Sequence, residues 1–338
     1  MSGRIELRGK HVISFQDWTL EEINYLLTES TRLKQSWKKG EIIEPLKQKT
    51  LFMIFFEQST RTRNSLEAAM TRLGGHAHDL SKEKMQISHG ETPKDTARVL
   101  SRMGECIAIR NCFYNVGNTY LNTIAQHAEI PVISMQDDVY HPLQVIADYL
   151  TIEELFGKNP RGLKVALLWT YATSHAKPLS VPQSQALFFP RFGLEVSVGF
   201  PEEFPLQQNI VSKAKQNARE AGVRITFTND PEEAVRNADV VIPKNWGGFG
   251  YFGDSYRDTE EFAQQMQANL HKHKDWICDE KLFALANKEA RIMHALPADR
   301  GKEITDTLLD SPHSVIYDEA ENRLHTARAL LKLVMAGI

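Results

Sequence analysis

Hydroxyl and guanidinium side chains are concentrated in residues 59–63 (STRTR). The apolar run 51–56 (LFMIFF), which is typical of a buried strand, ends just before them, and residues 64–73 have the pattern of a helix. Backbone N–H groups, the positive end of a helix and two arginine side chains would then converge on one point, where they favour a bound phosphate. The alternative that these residues leave open is a solvated helix cap beside two surface arginines.

An alternating order of helices and strands is predicted around this segment. Residues 20–38 place apolar side chains at helical spacing, with Thr19 as the N-cap, and the strand 51–56 follows. Later segments continue the pattern, with helices at 96–103 and 141–156 and strands at 106–110 and 131–135. This order predicts an α/β domain built on a parallel sheet.

The turn-rich residues 157–162 (GKNPRG) mark a predicted domain boundary, after which a second α/β pattern begins. Its predicted strands are 164–169, 194–199, 223–228, 240–243 and 291–294, and its predicted helices include 210–221 and 231–238. Ligands bind such sheets at the carboxyl ends of the strands, which is where residues 169–170, 244–245 and 294–295 fall. No GxGxxG motif follows the strand 164–169, and the chain has no GxxxxGK[ST] motif, so nucleotide binding is not indicated.

Composition limits the possible partners. The chain has 338 residues and a formal net charge of −3, so no overall charge attracts nucleic acid or an anionic membrane. No run approaches the roughly 20 apolar residues of a membrane span. Three cysteines, Cys106, Cys112 and Cys278, form neither a CxxC pair nor a zinc spacing. We therefore expect a soluble, cytoplasmic globular protein of two domains.

Four motifs in order along the chain resemble those of the aspartate and ornithine carbamoyltransferases. They are residues 55–75 (FFEQSTRTRNSLEAAMTRLGG), residues 85–110, residues 141–144 (HPLQ) with 147–148, and residues 294–297 (HALP) with 317–323 (YDEAENR). The resemblance implies an enzyme that transfers the carbamoyl group of carbamoyl phosphate to an amine and releases phosphate. It also implies two doubly wound parallel-sheet domains, one binding carbamoyl phosphate (1–156, joined by a C-terminal helix 320–338) and one binding the acceptor (157–319).

The resemblance assigns a set of residues to carbamoyl phosphate: Ser59, Thr60, Arg61, Thr62, Gln86, Arg110, His141, Gln144, Ala295, Leu296 and Arg323. Within it, Arg61 would stabilise the leaving phosphate, while Arg110, His141 and Thr62 would surround the carbonyl oxygen. Gln144 would accept from the carbamoyl NH2 group, on the same helix face as His141. Arg63 could instead face a structural carboxylate.

Two of these segments carry further expectations. Residues 85–91 resemble a loop that in relatives reaches the site of a neighbouring subunit, which implies a homotrimer with shared active sites; a mobile surface turn is the alternative. In the HALP segment, Ala295 replaces the cysteine that is common in the family. A thiol role is therefore lost, whereas the backbone carbonyls, above all that of Leu296, remain able to bind the carbamoyl amide.

The acceptor-binding residues implied by the resemblance are Lys244, Trp246, His294 and Asp299. Residues 243–248 (PKNWGG) lack the aspartate and the Ser-Met-Gly loop of ornithine enzymes and resemble the Lys-Ser-Trp element of the knotted branch of the superfamily. A trefoil knot is implied by the proline-rich residues 177–183 (KPLSVPQ), for which ordinary turn prolines are the alternative. Lys244 would pair with a carboxylate, and no acid is evident for a free α-ammonium. The acceptor would thus have an α-amine that is blocked, absent or itself the nucleophile, with ornithine as an alternative.

Other functions remain as competing hypotheses. His76 and His78 alternate on a short predicted strand, yet no third ligand accompanies them, and neither a metal nor a cofactor is expected. A non-catalytic protein that binds carbamoyl phosphate is one alternative, and a dehydrogenase built on the second sheet is another. An aspartate carbamoyltransferase is disfavoured because HALP stands where an HPLP-type element is expected.

Overall fold

The computed structural model describes residues 5–82, 85–171, 173–174, 177–247 and 260–337. The chain divides into two compact units, Met1–Leu150 with Ala320–Ile338 and Thr151–Glu319. The division falls inside the helix Pro142–Phe156, a little before the boundary predicted at residue 157.

The first unit contains a four-stranded parallel sheet in the order β2-β1-β3-β4. Its strands are β1 (Thr50–Phe55), β2 (His76–Ser81), β3 (Cys106–Asn111) and β4 (Val132–Asp137). Its helices are α1 (Leu20–Lys38), α2 (Arg61–Arg72), α3 (Pro93–Ser101), α4 (Gly117–His127) and the first part of α5 (Pro142–Phe156). The strand order reverses between β1 and β3, so the carboxyl ends of these two strands form the crevice where such sheets bind ligands.

Local sequence signals account for these elements. Thr19 caps α1 as predicted: its hydroxyl accepts from the Glu22 N–H, and the Glu22 carboxylate accepts from the Thr19 N–H, which completes a capping box. Gly117 starts α4 directly against β3, where an added Cβ would lie 1.8 Å from the Asn111 carbonyl oxygen. Only glycine fits this close approach of helix and strand.

The second unit contains a five-stranded parallel sheet in the order β7-β6-β5-β8-β9. Its strands are β5 (Lys164–Trp169), β6 (Glu195–Gly199), β7 (Ile225–Thr228), β8 (Val240–Lys244) and β9 (Arg291–Ile292). The later helices are α6 (Ser180–Phe188), α7 (Gln208–Ala221), α8 (Pro231–Val235), α9 (Glu260–Lys272), α10 (Glu280–Phe283), α11 (Asp306–Leu309) and α12 (Ile316–Ala336), the last of which ends in the first unit. The predicted fold class, α/β with two parallel sheets, is confirmed.

Several elements of the second unit differ from their predicted bounds. Helix α8 ends at Val235 rather than at residue 238, and β7 begins at Ile225 rather than at residue 223. The proline-rich loop is shorter than 177–183, because α6 already begins at Ser180 and accommodates Pro182 in its first turn, where a missing N–H costs no helical hydrogen bond. Strand β9 ends at Ile292 rather than at residue 294, because the following residues form a tight turn with Leu296 at a positive φ of 50°. Among the described residues, no helix has the length and apolar character that crossing a membrane requires.

Candidate active site

The phosphate-cradle segment lies at the junction between β1 and α2, as the sequence predicts. Strand β1 is buried to Phe55, and α2 begins at Arg61 with Thr60 at the N-cap position. The Thr60 side chain makes no capping hydrogen bond within the described part of the chain, and it is exposed. The hydroxyl-capped helix start is therefore not formed here, and the first N–H groups of α2 keep their capacity to bind an anion.

The two arginines of this segment have different environments. Arg63 forms an ion pair with Asp79 on β2, and its guanidinium carbon lies 4.0 Å from the centroid of the Phe55 ring. Arg61 is half-buried, and its positive charge contributes to the electrostatic environment of His141. Arg63 thus pairs with a carboxylate of the fold, which is the alternative role that the sequence left open for it. Arg61 faces the candidate site.

A hydrogen-bond chain joins three helices of the first unit at this point. Arg323 on α12 donates from Nη2 to the Thr62 hydroxyl at 2.9 Å and from Nη1 to the side-chain oxygen of Gln144. Gln144 in turn donates from Nε2 to Asp148 at 2.7 Å. Arg323 is only 3% exposed, so these bonds are shielded from water. They fix the side-chain orientation of residues predicted on three separate motifs.

His141 lies between β4 and α5, next to these residues. Asp137 shapes the preceding turn, accepting hydrogen bonds from the N–H groups of Val139 and Tyr140 at 2.8 and 2.7 Å. Pro142 then starts α5, at a position that needs no N–H donor. The turn and the helix together hold His141 at 4% exposure.

The electrostatics of the site keep His141 neutral. Burial lowers its pKa well below 6.5, and the positive charges of Arg323, Arg110 and Arg61 lower the pKa further. An imidazole that stays neutral at physiological pH can donate one hydrogen bond and accept another, whereas imidazolium can only donate. The three guanidinium groups supply the positive potential that a developing oxyanion requires.

Arg110 reaches the same edge of the sheet from the end of β3. One of its Nη groups donates to the side-chain oxygen of Gln136 on β4, while its Nε is buried and has no hydrogen-bond partner within the described residues. Gln136 and Asp148 were not predicted as site residues. Gln136 belongs to no motif, and the strand register that pairs it with Arg110 brings the two side chains together. Asp148 lies in the motif at 147–148, where the resemblance gives it no role.

Two predicted carbamoyl phosphate residues are more exposed than this cluster. Gln86 begins a short 3-10 turn, Gln86–His89, and its side chain is exposed, whereas Met85 and Ile87 pack against the apolar core of the first unit. Ser59 is half-buried ahead of α2. Anchoring by Met85 and Ile87 presents Gln86 outward on the surface of the unit.

In the second unit, Lys244 ends β8 inside a polar cluster. Its ammonium group donates to the side-chain oxygen of Asn245 at 2.7 Å and lies 3.7 Å from Glu303, and the side chain is 14% exposed. Burial lowers the pKa of Lys244, and the Glu303 carboxylate opposes this shift. A carboxylate that no sequence motif singles out, Glu303, thus lies beside Lys244.

The HALP segment forms a compact turn after β9. The Leu296–Pro297 peptide is cis, and Leu296 has a positive φ. The Leu296 N–H donates to Nδ1 of His294 at 2.8 Å, and the His294 N–H donates to Glu319 at 2.7 Å. The Ala295 side chain is buried. The turn is thus held by its own histidine.

Asp299 and Trp246 differ in what they offer to a ligand. Asp299 is partly exposed, lies 3.4 Å from the Lys177 ammonium and accepts from the Asn245 amide at 3.0 Å. The Trp246 side chain is fully buried, and its indole N–H donates to the Phe204 carbonyl at 2.9 Å. The predicted acceptor contact by Trp246 conflicts with this packing, since the ring forms part of the core of the unit.

His76 and His78 do not form a larger ligand set. Both are exposed on β2, with ring centroids 6.3 Å apart. In the described part of the chain, no group of three or more His, Cys, Asp or Glu side chains has the arrangement of a metal site.

Comparison with known families identifies both units. Residues 10–154 match the model "Aspartate/ornithine carbamoyltransferase, carbamoyl-P binding domain", and residues 162–334 match the corresponding "Asp/Orn binding domain". Among curated proteins, the ornithine carbamoyltransferase of Halalkalibacterium halodurans is 38% identical, with 98% of this chain and 97% of that protein covered. The anabolic ornithine carbamoyltransferase of Pyrococcus furiosus is 37% identical, with 99% of both chains covered.

Solved structures of carbamoyltransferases also resemble the whole chain. The ornithine carbamoyltransferase from Pyrococcus furiosus superposes with a TM-score of 0.86 at 36% identity, covering 99% of each chain. An acetylornithine transcarbamylase complexed with acetylcitrulline superposes equally well, with a TM-score of 0.86 at 31% identity, covering 96% of this chain and 99% of that one.

Proposed function

Since this chain belongs to the aspartate/ornithine carbamoyltransferase family, and is a carbamoyl-transferring enzyme, we propose that its acceptor is the amine of an amino acid or of an amino-acid derivative. The observation that carries the proposal is the buried chain from Thr62 through Arg323 to Gln144, beside a neutral His141. These groups match the requirements of carbamoyl transfer: donors for a carbonyl oxygen, cations for a phosphate, and an acceptor for an NH2 group.

In the proposed mechanism, the segment 59–62 holds the phosphate, and Arg110, His141 and Thr62 donate to the carbonyl oxygen. Gln144 accepts from the carbamoyl NH2 group, because its side-chain oxygen has a second lone pair beside the one that Arg323 occupies. The uncharged amine attacks the carbonyl carbon and an oxyanion forms. The C–O bond to phosphate then breaks as the carbonyl re-forms, and the proton of the amine passes to the departing phosphate. Arg61 stabilises the departing phosphate.

The second unit is proposed to bind the acceptor through Lys244 and Asp299. His294, whose ring is buried, is proposed to act in the same half of the site by holding the turn whose backbone groups, at Ala295 and Leu296, contact the carbamoyl amide. Supporting this, Lys177 and Asp299 are partly exposed beside the buried pair of Lys244 and Glu303, so the cluster offers a cation and a carboxylate to the two ends of a zwitterion. Ornithine is a second candidate, favoured by the curated relatives at 36–38% identity that carry the name ornithine carbamoyltransferase.

Assembly, topology and location belong to the same proposal. A homotrimer, with Gln86 completing a neighbouring site, is supported by the exposed Gln86 on its anchored turn. A trefoil knot in the second unit is supported by the resemblance of residues 177–183 to the knotted branch of the superfamily. A cytoplasmic location is supported by three cysteines without disulfides.

The test is a panel of acceptors with carbamoyl phosphate, followed by measurement of ureido product. The panel comprises ornithine, N-acetylornithine, N-succinylornithine, putrescine, lysine, 2,3-diaminopropionate and aspartate. Turnover of one amino-acid-like acceptor is expected. Saturable binding of carbamoyl phosphate without product from any acceptor would instead support a non-catalytic role, and product from putrescine alone would contradict the proposed need for a carboxylate.

A further inference from the structure

A carboxylate that no motif singles out lies at the centre of the polar cluster of the second unit. The Glu303 side chain is fully buried, and it joins Lys244 and Asn245, which are distant in sequence, to the nearby residues His294 and Asp299. One carboxylate oxygen accepts from the Asn245 N–H at 2.8 Å, and the other accepts from the Asp299 N–H. The first oxygen also lies 3.3 Å from Nε2 of His294.

We propose that Glu303 is a positioning residue of the acceptor half of the site, which fixes both the His294-to-Pro297 turn and the charge of Lys244. This inference rests on the proposed function, because that function assigns acceptor and carbamoyl contacts to the residues that Glu303 holds.

The link from Glu303 to the turn passes through the two nitrogens of His294. Its Nδ1 accepts the Leu296 N–H at 2.8 Å, so this nitrogen carries no proton. A neutral imidazole with Nδ1 free of a proton carries the proton on Nε2, which faces the Glu303 carboxylate. Glu303 therefore favours the tautomer that lets His294 hold Leu296 at its positive φ, and with it the direction of the Leu296 carbonyl.

The link to Lys244 is electrostatic. The ammonium donates to the side-chain oxygen and to the backbone carbonyl of Asn245, and three charged groups act on it: the carboxylates of Glu303 and Asp299 and the cation of Lys177. Burial and Lys177 lower the pKa of Lys244, while Glu303 and Asp299 raise it. For Glu303 itself, burial raises the pKa, but Lys244, His294 and the Asp299 N–H together lower it to about 2, so the carboxylate stays charged. The Glu303 carboxylate thus favours the protonated form of the buried Lys244.

Glutamine is a sharp probe of this arrangement, since it has the shape of glutamate without the charge. Both carboxylate oxygens of Glu303 accept backbone N–H groups, so the NH2 group of glutamine must face the N–H of either Asn245 or Asp299. Glu303→Gln thus removes the charge beside Lys244 and disturbs the contacts that fix the His294-to-Pro297 turn. Glu303→Asp keeps the charge with a shorter reach.

The experiment compares steady-state kinetics across pH for the wild-type enzyme, Glu303→Gln, Glu303→Asp and a control, Glu29→Gln. Glu29 is a similarly buried carboxylate, paired with Arg32 and Lys332 in the first unit. We expect Glu303→Gln to lower kcat/KM for the acceptor about 10- to 100-fold. This loss should grow as the pH rises, because Lys244 then deprotonates in a range where the wild-type profile is flat. Glu303→Asp, which keeps the charge, should not show this additional loss at alkaline pH, and neither should Glu29→Gln.

A second readout does not need activity. Nitrogen NMR of His294, assigned by its absence in His294→Gln, should show a proton on Nε2 in the wild type and a mixed or altered tautomer in Glu303→Gln. An unchanged tautomer together with a uniform, pH-independent loss would contradict the proposal and indicate a purely structural role. If the wild type forms no ureido product, the proposed function fails. The His294 tautomer in the wild type and in Glu303→Gln still tests whether Glu303 positions the turn. A Glu303→Gln variant that does not fold leaves the wild-type tautomer and Glu303→Asp as tests.

Discussion

Arg323 provides the most specific test of the carbamoyl phosphate site. Its guanidinium group bridges two helices through separate nitrogens, donating to Thr62 at 2.9 Å and to Gln144. In Arg323→Lys, a single ammonium replaces this planar fork and cannot reproduce both bonds. Losing one buried, charged hydrogen bond costs about 1.5–3 kcal/mol. If the lost hydrogen bond stabilises the transition state by this amount, kcat/KM for carbamoyl phosphate falls about 10- to 150-fold.

The assay measures kcat/KM for carbamoyl phosphate alongside the free energy of unfolding. Arg328→Lys is a matched control, because Arg328 follows on the same helix, is 1% exposed, and donates to the Leu33 carbonyl at 2.9 Å. The control should lose stability but keep kcat/KM within about threefold. Equal losses of kcat/KM in the two variants would refute the reasoning, since the effect would then come from the packing of α12. Retention of full kcat/KM by Arg323→Lys would refute it as well.

Two further predictions concern the first unit. His141→Ala should lower kcat far more than it weakens carbamoyl phosphate binding, whereas Arg61→Ala should lower both kcat and the binding affinity. Calorimetry measures the binding, and steady-state kinetics measure kcat. An equal loss of binding and rate in His141→Ala would contradict the role assigned to His141. Arg63→Ala, which removes a guanidinium paired within the fold, serves as the control for Arg61 and should mainly reduce stability. For Asp137, burial raises the pKa from 3.8 to about 7, so the folded state keeps a proton that the unfolded chain releases. The free energy of unfolding should therefore fall as the pH rises from about 4 through 7. If Asp137→Asn matches the wild type at pH 5, it should exceed it by up to about 3 kcal/mol at pH 8 in denaturant titrations, since about two pKa units remain between pH 5 and 7. Parallel curves for the two proteins would contradict this.

The parts of the fold that could be predicted depend on local signals. Thr19 and Glu22 form a capping box within four residues, and the second sheet has a strand at each predicted position. The segment 59–63 was identified because a strand, a helix start and charged side chains are adjacent in sequence. Such features need no knowledge of distant contacts, so composition and periodicity suffice to find them.

The parts that could not be predicted depend on register and burial. Gln136 meets Arg110 because β3 and β4 are paired with a register shift at this point, which no periodicity encodes. Glu303 meets Asn245 across 58 residues, through the turn that follows β9. Trp246 belongs to a motif that suggested ligand contact, yet its side chain is buried in the core of the unit and its indole N–H donates to the Phe204 carbonyl. A motif thus locates a segment without saying which of its side chains face a ligand.

Transfer of a labelled carbamoyl group tests the central claim most directly. The enzyme would be incubated with carbamoyl phosphate labelled with 13C at the carbonyl carbon and with the full set of candidate amines, and the label followed by NMR. The account predicts that the label appears in the ureido carbon of one amino-acid-like product, with one phosphate released for each ureido group. Label that appears only as bicarbonate or cyanate, at the rate seen without enzyme, would contradict it.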